Sequence, residues 1–263
     1  MIRNLFLLSL ICLVAFLSIG CDVVRDMIVL ESSGNIETIE EEWIGFNRVE
    51  ASHSFDIDIK QGDEYRIEIR VDEEFVDYLD VTKRGNTLDL DLNEEFSYRI
   101  VDGVLEASIT MPELVLVRLS GASRAHVEGF DSKERVTAEL SGSTTLTGNM
   151  GAGSIFMDLS GASDLSGDYT TRDADLKASG ASHIMLSGSG KDVRIDASGN
   201  STVDLQDFTS EDATVDVHGA SKVVLNASGT VDVSASGASE LRQVGEGKFG
   251  NIDSSGASSI DRG

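Results

Sequence analysis

Proline is nearly missing from this chain, with one residue among 263, which excludes a proline-rich stalk or linker. Cysteine is almost as scarce: Cys12 lies inside an apolar N-terminal run, and Cys21 is the only one beyond it. A single cysteine past that run leaves no intramolecular disulfide. Basic residues are short too, 21 against 46 acidic ones, for a net charge of −25. A field of that sign repels nucleic acid and anionic lipid surfaces. Aromatics make up 6%, and past residue 113 only Phe130, Phe156, Tyr169, Phe208 and Phe249 occur. That supply is thin for a sugar-binding groove built on aromatic platforms. Yet 40% of the residues are apolar and they recur periodically, which separates the chain from disordered acidic sequences.

The N-terminus reads as a targeting segment. Arg3 precedes the apolar run LFLLSLICLVAFLSIG, which is short for a membrane span and ends at Cys21. Ser18 and Gly20 are small residues flanking the point where cleavage would leave Cys21 first. The pattern resembles the lipobox of bacterial lipoproteins, with Ser18 where Leu is usual and Leu17 one residue early. The resemblance implies a lipid on the Cys21 thiol, and a lone cysteine at the cleavage point is easier to explain as a lipid acceptor than as a free thiol. Residues 1–20 are then a signal segment.

One pentapeptide dominates the rest. LSGAS at 119–123 returns as LSGST at 140–144, LSGAS at 159–163, ASGAS at 178–182, ASGNS at 197–201, VHGAS at 217–221, ASGAS at 235–239 and SSGAS at 254–258. Its glycines, Gly121, Gly142, Gly161, Gly180, Gly199, Gly219, Gly237 and Gly256, are spaced by 21, 19, 19, 19, 20, 18 and 19 residues. A catalytic motif is needed once, whereas a structural corner is needed once per turn of a stack. Apolar residues alternate on both sides of each glycine: Leu140, Leu159 and Ala178 two before it, Met157, Leu176 and Ile195 four before it, Leu165, Ile184 and Val203 four after it. Period two on both sides means two half-buried strands per repeat.

A parallel β-helix with rungs of about 19 residues explains identical corners, since each rung repeats its position about 4.8 Å above the last. A hairpin meander of the same period is the alternative. In the helix, the invariant glycine fits a positive φ or a place without room for a Cβ, and the Ser and Thr two residues later stack as a ladder bonding between rungs.

Residues 44–113 carry longer alternating strands, with HSFDIDIK and YRIEIRV around QGDE and LDVT and TLDLDL around KRGN, both reading as hairpins. We expect this region to cap the stack, residues 114–263 to form it, and residues 21–43, with the acidic run ETIEEE, to be a tether.

The stretch from FNRVEASHSFDIDIK to TLDLDL, followed by ITMPELVLVRLSGAS and the recurring SGAS units, resembles the bacterial head-GIN-domain family of auto-transporter adhesins over residues 46–260. Where that family carries a Gly-Ile-Asn-like triplet, this chain reads Ser54-Phe55-Asp56. The resemblance implies a right-handed parallel β-helix in an envelope-attached protein, commonly a lipoprotein.

Candidate chemistry is sparse. The pairs Asp56/Asp58 and Asp89/Asp91 have apolar residues between and beyond them, so they occupy the solvent face of a strand; Asp173/Asp175 is a third such spacing. Ser-Gly-Ala-Ser lacks the Gly-x-Ser-x-Gly spacing of a nucleophile elbow, and His53, His126, His183 and His218 show no ligand spacing. The outward position three before each glycine holds Arg118, Glu139, Asp158, Lys177, Asp196, Asp216, Ser234 and Asp253. Stacked like charges repel; Lys177 relieves the middle, and a divalent cation on Glu139, Asp158, Asp196 and Asp216 could relieve the rest, against the plainer reading of a screened acidic face. No other cofactor is implied. These readings converge on a non-enzymatic cell-envelope lipoprotein, held by lipid on Cys21 at the outer membrane or cell surface rather than the inner membrane. It would be an adhesin or structural module presenting an acidic surface to an envelope or cell-surface ligand. The alternative is a carbohydrate-binding or polysaccharide-cleaving β-helix.

Overall fold

The computed structural model describes residues 27–263, so residues 1–20, read above as a signal segment, and Cys21, read as a lipid acceptor, lie outside the described residues. Each corner glycine joins two walls. The strands before it include Leu116–Leu119, Arg135–Leu140, Asp192–Ala197, Asp212–Val217, Thr230–Ala235 and Lys248–Ser254. Those after it include Arg124–Asp131, His183–Ser189, Thr202–Ser210, Lys222–Ala227, Glu240–Gln243 and Ser259–Arg262. Two strands, Thr145–Leu159 and Asp164–Ala178, run unbroken from the second wall of one turn into the first wall of the next.

Pairing within both walls is parallel and advances by one repeat, Leu140 to Leu159 to Ala178 to Ala197 to Val217 to Ala235 along one row. A meander would pair antiparallel neighbours, so the chain is a β-solenoid. The core is the set of inward positions, nearly all of them buried. At Gly148 and Gly167 an inward side chain is missing; a Cβ on Gly167 would come within 2.8 Å of Tyr169 Cε2, so the buried Tyr169 ring fills that space.

Both reasons for a corner glycine hold together. The eight have φ between +70° and +88°, and a Cβ on any of them would lie 2.5–2.7 Å from the backbone oxygen one rung below. The next residue's N–H donates to that same oxygen, as from Ala162 to Gly142 and from Ala181 to Gly161, each at 2.7 Å. The hydroxyl ladder is corrected: Ser163, Ser182 and Ser201 are buried, but each donates to the carbonyl three residues earlier at 2.8 Å, closing its own corner. Thr144 alone donates to the hydroxyl above it, Ser163 Oγ at 3.0 Å.

The N-terminal region departs most from expectation. Residues 44–113 do more than cap: Arg48–Ala51 and Asp56–Gln61 form a full turn beneath Leu116–Leu119 and Arg124–Asp131. Below that turn lie Thr87–Leu92 and Leu105–Met111, so spatial order and chain order differ. The hairpin across KRGN is present, with Leu79–Arg84 antiparallel to Thr87–Leu92. The one across QGDE is not, because Leu105–Met111 inserts between its arms, parallel to Asp56–Gln61 and antiparallel to Arg66–Asp72. Alternation cannot distinguish a strand's neighbour in sequence from one inserted later with the same inward pattern.

The tether reading is also corrected. Met27–Leu30 pairs with Ser97–Ile100, and Ile36–Glu41 pairs antiparallel with Arg66–Asp72. Asp72 fastens this segment. It accepts hydrogen bonds from the Ser32 hydroxyl, from the Ser33 N–H and hydroxyl at 3.1 and 2.9 Å, and from the Glu74 N–H at 3.3 Å.

Candidate functional site

Parallel stacking turns each outward sequence position into a row of side chains. In the row three before the glycine, register places Asp89, Glu50, Arg118, Glu139, Asp158, Lys177, Asp196, Asp216, Ser234 and Asp253 one above another. Cations interrupt the acids. Arg118 pairs with Glu50 and Glu139, both at 2.7 Å, and Arg194 from the adjacent row reaches Asp216 at 3.3 Å. Lys177 sits between Asp158 and Asp196 and leans over the Phe156 ring at 5.2 Å. At the foot of the row, burial pushes the Asp89 carboxyl up, and Asp91 and Glu50 add to it. Among the described residues no three His, Cys, Asp or Glu side chains converge as a metal-holding group. Of the four acids read as a cation site, Glu139 pairs with Arg118 and Asp216 with Arg194, while Asp158 and Asp196 flank Lys177 in register.

A second arrangement lies where the two long strands pass from wall to wall. In Thr145–Leu159 that passage is Gly151-Ala152-Gly153, with Asp131-Ser132-Lys133 on one side and Thr170-Thr171-Arg172 on the other. A side chain is excluded at Gly153, where a Cβ would fall 1.9 Å from Lys133 O; at Gly151 a Cβ would meet only the Asp131 carboxylate, at 2.6 Å from Oδ1. The result is a concavity of about 820 Å³. A second one, of about 360 Å³, begins at the next residue, Ser154, and continues over Ile155 and Ala174 toward Asp175 and Arg194. Asp175 Oδ1 is buried with no hydrogen-bond partner among the described residues, while Arg135 lies over Phe156 at 4.8 Å nearby. Reading the repeat for regularity passes over this place; the visible signal was a turn region holding Gly-Ala-Gly inside a strand.

The first corner of the solenoid is His53, not a glycine. Gly121 sits directly over it, and Ala122 donates to its carbonyl. His53 is the one non-glycine residue with positive φ, +62°, among the described residues. Phe55 takes the buried place that Ser or Thr fills above, so Ser54-Phe55-Asp56 belongs to this corner. The His53 Nδ1 lies 2.6 Å from Asp91 Oδ1 and 2.9 Å from Ser52 Oγ, and the Ser52 hydroxyl also donates to Asp91. Burial raises the Asp91 carboxyl, but hydrogen bonds from His53, Ser52 and the Leu92 N–H outweigh it and hold the group below the usual range. Serine, histidine and aspartate meet here without the geometry of a hydrolase: a base must use one ring nitrogen on the nucleophile and the other on the acid, and here Ser52 and Asp91 share Nδ1. Tyr98 packs edge-on against His53 at 5.4 Å and against Tyr78 at 5.8 Å. The other histidines stand apart on separate partners: Thr147 for His126, Asp164 for His183, Ser236 for His218.

Comparison with known proteins places the fold. A structure from Parabacteroides distasonis described as a "putative lipid binding protein" superposes with a TM-score of 0.83 at 17% identity, covering 90% of this chain and 100% of that one. A "putative adhesin" from the same species gives 0.81 at 12%, over 90% and 100%. Another from Parabacteroides merdae gives 0.81 at 13%, over 89% and 99%. No curated protein matches the sequence. A family model described as "Putative auto-transporter adhesin, head GIN domain" matches residues 45–247, and the chain belongs to that family.

Proposed function

We propose that the protein is a non-enzymatic, lipid-anchored module of the cell envelope that presents a rigid acidic solenoid to a ligand on the envelope or on another cell. The observation that carries this reading is the stack itself: functional groups are laid out as repeated outward rows, and the one meeting of serine, histidine and aspartate lacks a catalytic arrangement. Membership of an adhesin family supports it. Cys21, directly after the apolar run, supplies the attachment point. Lipid binding, named for one structural neighbour, finds less support, because the interior is filled with side chains and the largest concavity described above carries Asp131, Lys133, Asp168 and Arg172 on its lining.

The anchor is tested by Cys21→Ser. The substitution should move the protein from detergent-extracted membranes to the soluble fraction or leave it unprocessed. Unchanged partition, with no lipid mass on the native N-terminal peptide, overturns that part. Adhesion through the acidic faces should weaken with added salt, since exposed charges are screened within about 8–10 Å near physiological ionic strength. Release of unsaturated uronates from acidic polysaccharide, abolished by one carboxylate substitution, would establish the enzyme alternative instead.

A further inference from the structure

We propose that the furrow crossing Gly151-Ala152-Gly153 and continuing past Ser154 to Asp175 is a binding groove for a neutral, hydroxyl-rich glycan chain. The proposal rests on the reading of the protein as a binding module, but not on its acidic rows. The two concavities adjoin on consecutive residues of one strand, and the stretch from Asn149 to Ile155 has a path length of about 20 Å at about 3.3 Å per residue. Its side-chain walls stand on the turns below and above, about 10 Å apart at two rung spacings. That is a slot for an elongated chain rather than a compact molecule.

The lining sets the ligand class. Lys133, Arg135, Arg172 and Arg194 are donors only, while Asp131, Asp168, Asp173, Asp175 and Asp192 accept only when ionised. Nine charges therefore leave a net of −1 locally, in a chain carrying −25 overall, so neither a polyanion nor a polycation is selected. Arg172 pairs with Asp173 at 2.7 Å, Lys191 with Asp192 and Arg194 with Asp216, both at 3.3 Å, whereas Asp131, Lys133 and Arg135 have no ion pair among the described residues; a ligand that meets both kinds of group offers donors and acceptors along its length, as sugar hydroxyls do. Asp175 stands at one end of the lining, and its enclosed Oδ1 has no hydrogen-bond partner among the described residues. An extended peptide fits less well. Strand addition needs a free sheet edge, and Thr145–Leu159 is paired on both sides, to Arg124–Asp131 and Arg135–Leu140 below and to Asp164–Ala178 above.

The test uses the chain from residue 22 onward, which contains every described strand. It is offered immobilised mannan, galactan, glucan, xylan and arabinan, with polygalacturonate and denatured casein as controls. We expect binding to at least one neutral polysaccharide that persists in 0.5 M salt. Lys133→Ala with Arg172→Ala, and separately Asp175→Asn, should weaken it tenfold or more, while Glu240→Ala on the second wall leaves it unchanged; circular dichroism confirms that each variant is folded. Binding to none of the five, equal binding by the groove variants, or binding only to casein or polygalacturonate overturns the proposal. Adhesion to whole cells without binding to any polysaccharide refutes the glycan groove alone, whereas loss of both refutes the binding-module reading with it.

Discussion

Replacing Gly180 by Ala separates the two demands made on a corner. The residue has φ +75°, and a Cβ there would sit 2.5 Å from Gly161 O and 3.1 Å from Gly161 N. Left-handed backbone costs a non-glycine residue about 1–2 kcal/mol. The contact adds to this, because the oxygen in the way also accepts the Ala181 N–H at 2.7 Å. Relieving it must push two rungs apart, losing about 1 kcal/mol of hydrogen bond and a further 1–2 kcal/mol or so of packing. The expected loss is about 3–5 kcal/mol. Gly45 supplies the control, with φ +76° but nothing within 4 Å of its added Cβ, so Gly45→Ala should cost only the backbone share of about 1–2 kcal/mol. His53 shows how the two demands come apart in the native chain. It holds φ +62° at a corner, where the rung beneath has no tight turn because residues 93–104 leave the stack to form Ser97–Ile100. Urea unfolding of both variants, followed by far-ultraviolet circular dichroism, measures the difference. Equal losses at Gly180 and Gly45 would refute the claim that the rung below, rather than φ alone, dictates glycine.

Further perturbations have definite signs. Tyr169 is buried, its hydroxyl has no partner among the described residues, and burial pushes its ionisation upward; Tyr169→Phe should therefore leave stability unchanged or raise it by about 1 kcal/mol, and a clear drop in melting temperature would reveal a partner for that oxygen. Hydrogen bonding, from Ser32 above all, lowers the Asp72 carboxyl to about 2 from its ordinary 3.8. A depressed carboxylate stabilises above its unfolded value and loses that contribution as pH falls through the folded one. The Met27–Glu41 segment should therefore release between about pH 4 and pH 2, seen as rising amide exchange there; Asp72→Asn should give the same release at neutral pH.

What the sequence makes legible depends on whether a residue's role repeats. The corner glycines, the two walls and the inward rows could be read because stacking forces the same physical demand on positions about 19 residues apart, and eight copies make the demand visible. The first turn follows the same rules and escaped, since its corner is His53-Ser54-Phe55 and the chain between it and Gly121 passes through two lower strands, the antiparallel Arg66–Asp72 and Leu79–Arg84, and a detached strand before returning. No local pattern records such a detour, because each strand needs only the right alternation to be accepted wherever it lands. The groove escaped for the opposite reason. It lies where periodicity lapses: Thr145–Leu159 and Asp164–Ala178 omit the break that other turns place there, and Gly153 is fixed by contact with the Lys133 carbonyl rather than by φ. In a solenoid the repeated positions satisfy the fold, and a departure the fold does not require is where side chains are free to meet a ligand. Cys21 needs no stack to be picked out, only its place after an apolar run, so the anchor proposed for it rests on sequence alone, while the groove needs the rungs on either side of it.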